Sequence, residues 1–219
     1  MSTPMTVEVY YDFYCPFAYE GANWLRDVKE RLGDEVTFVW KAFPLEQVNS
    51  TRGPEWTVWG QPESVQSFTR NQFAGAYAAE KQGQEAADRF RTALFALHHE
   101  QGKVPGKLET LIKAATEAGL DIEQFTSDMA DNTLWERIGE EYLEGKAKGV
   151  FGTPTLVFPN GTPIYVKMRP AAPREEALNV WGQVLSMAGQ SYLAELKKGN
   201  PPIHHEDGKV KGRVAAGIA

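Results

Sequence analysis

The sequence predicts an α/β fold interrupted by a large all-helical insertion. Three observations lead there: a strand–helix–strand opening, a long middle stretch with helical spacing, and a strand–strand–helix close. A chain of 219 residues can bury one sizeable core and still carry such an insertion.

The elements follow in order. Residues 7–11 (Val, Glu, Val, Tyr, Tyr) are β-branched and aromatic and read as a strand that ends at Asp12. From Phe17 the apolar positions Phe17, Trp24, Leu25, Val28 and Leu32 have helical spacing, and Gly33 closes the run. Residues 36–40 form a second strand. After Pro62, helical segments follow one another, broken by Gly83, Gly102, Gly119 and Gly149, with Asp121 as an N-cap. Strands resume at residues 154–158 and 164–166, joined by an Asn160-Gly161 hairpin turn. Pro173, then Glu175 and Glu176 in a first turn, open a last helix with stripe Leu178, Trp181, Val184 and Leu185. The expected organisation is a discontinuous α/β domain of residues 1–61 plus 150–190, a helical domain of residues 62–149, and a tail of residues 191–219.

Composition excludes several function classes. An aromatic content of 11% beside 42% hydrophobic residues argues against disorder. No apolar run approaches the roughly 20 residues of a membrane span, so no membrane partner is expected. Residues 1–6 lack the features of a secretion signal, which predicts a cytoplasmic protein. A net charge of −6 argues against nucleic acid as a partner. The one cysteine, Cys15, excludes an intramolecular disulfide and a multi-thiolate zinc site. No metal site is expected. A lone cysteine is most often a small buried hydrophobe, and position decides whether this one is more.

Cys15 stands between a strand end and a helix start, with Pro16 at the first helical position. Unpaired backbone N–H groups and the positive helix end stabilise thiolate there. Such sites lower a thiol pKa from about 8.5 into the range of about 3.5 to 7.5. The competing reading is a sulfur that only packs beneath the helix. A second signal is Gly152-Thr153-Pro154-Thr155, directly before a strand.

The stretch Asp12-Phe13-Tyr14-Cys15-Pro16-Phe17-Ala18-Tyr19 resembles the active-site segment of the DsbA-like branch of the thioredoxin fold. Residues 149–155 (Gly-Val-Phe-Gly-Thr-Pro-Thr) resemble that family's cis-proline loop. The helical block, including Leu111 to Ala115 and Gly119-Leu120-Asp121, is similar to the family's inserted domain. The resemblance covers roughly residues 5–190 and implies a thioredoxin-like core with Cys15 beside Pro154. It implies that Cys15 is the attacking sulfur and that Pro16 and Phe17 tune its acidity. It also implies that Thr153 offers backbone N–H and C=O groups to an extended substrate.

The sequence departs from the dithiol members at Ala18, where they carry a second cysteine that resolves the mixed disulfide. The leading expectation is therefore a thiol–disulfide oxidoreductase acting through Cys15 alone. An external thiol such as glutathione would resolve it, as a co-substrate and not a tightly bound cofactor. Kappa-class glutathione transferases and 2-hydroxychromene-2-carboxylate isomerases, a related branch, typically have serine at this position. A glutathione-dependent isomerase or transferase for a small aromatic compound is the alternative, and a non-catalytic binding scaffold the third. A homodimer is left open.

Other residues have plainer expected roles. His98 and His99 point about 100° apart on a helix and read as solvated surface. His204-His205-Glu206-Asp207 reads as a mobile or docking tail. Asp12 reads as a strand-end cap or a proton relay. Trp56, Trp59, Phe68, Phe73 and Tyr77 read as helix core, or as lining of an apolar groove.

Overall fold

The computed structural model describes residues 4–196. The tail sequence His204-His205-Glu206-Asp207 lies outside the described residues. The chain divides into two compact units, Met1–Gly189 and Gln190–Ala219, and the sheet, helices and candidate site all belong to the first.

A four-stranded sheet runs in the order β2-β1-β3-β4. Strand β1 (Met5–Tyr11) pairs parallel with β2 (Val36–Ala42), the right partner for a strand–helix–strand connection through α1 (Pro16–Leu32). Strand β3 (Thr155–Val157) pairs antiparallel with β1, and β4 (Pro163–Tyr165) antiparallel with β3. The β3–β4 turn is the predicted one: Gly161 has φ +82°, and its N–H reaches the Phe158 carbonyl at 2.8 Å. Between β2 and β3 lie α2 (Leu45–Val48), α3 (Phe68–Glu80), α4 (Gln84–His99), α5 (Leu108–Glu117), α6 (Ile122–Met129) and α7 (Thr133–Ala147). Asp121 caps α6, its carboxylate accepting from the Gln124 N–H at 2.9 Å. The last helix, α8 (Ala177–Ala188), starts later than the sequence suggests. Pro173 is still extended, and residues 174–176 form a 3₁₀ turn before it.

Alternation along the strands sorts the helices onto faces. Val36, Phe38, Trp40 and Ala42 of β2 point to one face. There Phe38 meets Trp181 of α8 edge-on at 5.7 Å, and the Trp24 indole of α1 donates to the Ala177 carbonyl at 3.0 Å. On the other face of β1, Tyr10 packs with Phe43, which stacks on Tyr142 of α7. The helical block shares its core with the sheet. Tyr11 and Phe13 pack against Phe73 of α3 and Phe95 of α4, within one cluster of buried side chains.

A buried carboxylate anchors α7 to the end of β2. Glu141 accepts from the Ala42 N–H at 2.6 Å, the Tyr77 hydroxyl at 2.7 Å and the Arg137 guanidinium at 2.9 Å. Burial pushes its carboxyl above the usual range, and these donors oppose the shift.

Candidate active site

The turn from β1 into α1 is held by Asp12. Its carboxylate is buried and accepts from the N–H of Tyr14 at 2.9 Å, the N–H of Leu45 at 2.7 Å and the Gln72 amide at 3.0 Å. Burial raises its pKa and these three hydrogen bonds counter it. Because every partner is an N–H donor, Asp12 serves as an anionic cap that joins the turn to α2 and α3.

Cys15 is the N-cap of α1, with Pro16 following, and its N–H closes the turn on the Asp12 carbonyl at 3.1 Å. Its Sγ donates to the Thr153 carbonyl at 3.3 Å, across 138 residues of sequence. The N–H groups of Phe17 and Ala18 and the side chain of Thr153 stabilise the thiolate. Burial outweighs them, and Asp12 adds to it, so the thiol pKa lies above its ordinary value. The helix start provides the N–H groups that the sequence predicts, but not the net acidity. Desolvation of a residue only 4% exposed reverses the sign.

The other sequence-predicted residues converge on the sulfur. The Thr153–Pro154 peptide bond is cis, and both residues are buried. While Cys15 is a thiol bonded to the Thr153 carbonyl, the Thr153 hydroxyl has no hydrogen-bond partner, and it is this side chain that favours the thiolate. Pro154 packs on Gly21 of α1, where a Cβ would come within 2.8 Å of the ring Cγ. Phe17 is half-buried beneath the Lys167 ammonium, 4.1 Å from the ring centre. Ala18 is fully buried. Tyr165, close enough for the Cys15 charge to act on its hydroxyl, is exposed, as are Phe151, its ring centre 5.1 Å from that of Tyr165, and Tyr14, next to Cys15 in the chain.

Beside the turn lies a cleft of about 420 Å³, lined by Asp12, Tyr14, Glu46, Asn49, Ser67 and Phe68 among others. Of the aromatic residues weighed in the sequence, Phe68 lines this cleft, whereas Phe73 and Tyr77 are core. Trp59 packs on Tyr142, and Trp56 lies under Arg52. Among the described residues no cluster of three or more His, Cys, Asp and Glu is placed to hold a metal ion.

Two contacts were not legible in the sequence. Gly21 gave no signal beyond a small residue in a helical run. His99, expected on solvated surface, is half-buried and donates from Nε2 to the Phe13 carbonyl at 2.9 Å. Burial, with His98 and Arg169 nearby, pushes its pKa down to about 4, against the opposing Phe13 hydrogen bond. The unfolded chain therefore takes up a proton near pH 6.5 that the folded chain refuses until about pH 4. This contribution to stability is fully present above the unfolded value and is lost as pH falls between the two. Urea midpoints should show the wild type losing more than His99→Gln between pH 7 and pH 5. Equal losses would mean that His99 titrates alike in both states.

Such a fold, with a cysteine opening the first helix against a cis-proline loop, defines a thioredoxin-fold protein. The chain belongs to the family of DSBA-like thioredoxin domains, whose model matches residues 6–180. An uncharacterized protein of Mycobacterium tuberculosis is 28% identical over 205 residues, 92% of this chain and 85% of that one. Na(+)/H(+) antiporter NhaA 1 of Mycolicibacterium gilvum is 27% identical over 162 residues, but this chain spans only 22% of its length. Among solved structures, 2-hydroxychromene-2-carboxylate isomerase superposes with a TM-score of 0.60 at 20% identity, covering 83% of this chain and 95% of that one. The cytosolic disulfide reductase DsbM from Pseudomonas aeruginosa gives 0.59 at 14%, covering 83% and 98%. Both are likenesses of fold. Among the described residues no helix is long and apolar enough to cross a membrane.

Proposed function

We propose that the chain carries out thiol–disulfide exchange through Cys15 alone. The Cys15 thiolate attacks one sulfur of a substrate disulfide, forming a mixed disulfide and releasing the other sulfur as thiolate. An external thiolate, glutathione in the first instance, then attacks the Cys15 sulfur and releases the remaining substrate thiol. A second external thiolate frees Cys15 and leaves as the oxidised dimer. Two external thiols are oxidised for each disulfide reduced.

The observation that carries this reading is Cys15 Sγ against the Thr153 backbone at the start of α1. The N–H groups on the sulfur support the attacking and leaving thiolate. Ala18, where the dithiol members hold a second sulfur, makes an external thiol necessary. A reducing cytoplasm, rich in small thiols, suits such chemistry. Incubating the reduced chain with glutathione disulfide tests it. Intact mass should show one glutathione adduct, on Cys15, that excess glutathione removes. No adduct with this or a small aromatic disulfide would overturn the reading.

A second reading is favoured by the protonation state of Cys15. A thiol kept protonated by burial donates a hydrogen bond as a serine hydroxyl does. In a glutathione-dependent isomerase or transferase it would hold glutathione's own thiolate while the cleft takes an aromatic substrate. Glutathione-dependent turnover of an aromatic electrophile that survives Cys15→Ser would select this reading.

A further inference from the structure

We propose that His99 is a positioning residue for Cys15, holding the turn that presents the sulfur by donating from Nε2 to the Phe13 carbonyl. Phe13 lies two residues before Cys15, and among the described residues no other protein donor meets its carbonyl. A carbonyl can only accept, so Nε2 carries the proton. The turn then has two polar anchors. The Asp12 carboxylate ties it to α2 and α3, and His99 ties it to the C-terminal end of α4.

The imidazole is itself held. It stacks on Tyr19 of α1, with ring centres 4.9 Å apart and planes 19° apart, and the Tyr19 hydroxyl donates to Glu100 at 2.6 Å. His98 meets it edge-on at 4.4 Å and is fixed by the Lys103 carbonyl at 2.7 Å. Phe95 lies 6.0 Å away on the same helix. Arg169, from the connection between β4 and α8, adds a positive charge that disfavours protonation of His99, and the neighbouring His98 acts in the same direction. The carboxylate of Glu100 on the Tyr19 hydroxyl is the one negative group among these neighbours.

The link to chemistry runs through the turn. The N–H groups of Phe17 and Ala18 stabilise the Cys15 thiolate only while the turn aims them at the sulfur. With the Phe13 carbonyl unpaired, the turn tilts toward whatever donor water offers, and those N–H groups lose their aim. The proposal rests on Cys15 as the reacting atom. Alkylation of its thiol reports on the turn whether or not disulfide exchange is the reaction, so the two can fail separately.

The test is the pH profile of iodoacetamide alkylation at Cys15 in the full chain, for wild type, His99→Phe and His99→Gln. Phenylalanine keeps the stack on Tyr19 without the donor, and glutamine restores an N–H at similar reach without titrating. The inflection in His99→Phe should move to higher pH, with the rate at pH 7.5 falling about five-fold, while His99→Gln stays within about two-fold of wild type. A folded His99→Phe that matches wild type, or a His99→Gln no better than His99→Phe, would overturn the proposal. If His99→Phe fails to fold, ¹⁵N NMR of the wild-type imidazole decides. An Nε2–H tautomer that persists below pH 5.5 supports it; an Nδ1–H tautomer, or titration near 6.5, refutes it.

Discussion

Replacing Cys15 with serine should abolish every covalent adduct with a disulfide and reduce thiol–disulfide exchange to the uncatalysed background. Cys15 is the one sulfur nucleophile of its kind in the 219 residues, so no second thiol can substitute. The fold should survive, because serine is smaller only at the heteroatom and its hydroxyl can donate to the Thr153 carbonyl as the thiol does. Exchange measured with a small aromatic disulfide, alongside near-UV circular dichroism for packing, checks both halves. Exchange above background in a folded Cys15→Ser chain would remove Cys15 from the reaction.

The second large effect is expected at Gly21. Alanine in a helix interior is favoured over glycine by about 1 kcal/mol, so on local grounds Gly21→Ala should stabilise. Its Cβ, however, would stand 2.8 Å from the Pro154 Cγ, an atom in a ring tied to the backbone at both ends, which can change pucker but cannot rotate away as an open side chain does. Overpacking of this kind costs about 1–3 kcal/mol, enough to cancel or outweigh the gain. The ring would be pushed off α1 and carry Thr153 away from the sulfur. Gly182 of α8 is the control, since nothing lies within 4 Å of a Cβ there. Gly182→Ala should raise the urea midpoint and leave adduct formation unchanged, whereas Gly21→Ala should lower both midpoint and adduct rate. A Gly21→Ala chain as stable and reactive as Gly182→Ala would show that α1 and Pro154 have room to spare.

Much of the fold was legible because its signals are local. The period of two in residues 36–42 and the helical spacing from Phe17 to Leu32 mark a strand and a helix wherever they occur. Asn160-Gly161 makes a hairpin turn because glycine adopts positive φ at no steric cost. The sequence puts the start of α8 a few residues early, since Pro173 suits either a first helical position or an extended residue before a 3₁₀ turn. Within the site, Cys15 and Pro154 could be singled out from their flanking residues and the family resemblance. His99 could not, because adjacent histidines on a charged helix end look like solvent-facing side chains until the packing partner is known.

By itself the sequence determined the order of strands and helices, the insertion of a helical block between β2 and β3, and a cysteine at a helix start with no second sulfur. Each of these follows from dihedral preference, side-chain periodicity or simple presence, which neighbours along the chain already decide. The tertiary structure alone decided that the Thr153 carbonyl meets the sulfur, that Gly21 makes room for Pro154 and that His99 holds the Phe13 carbonyl. It also decided the acidity of Cys15. The helix start favours the thiolate through groups within three residues. The opposing desolvation comes from atoms that long-range packing puts in place of water, and burial is the larger effect.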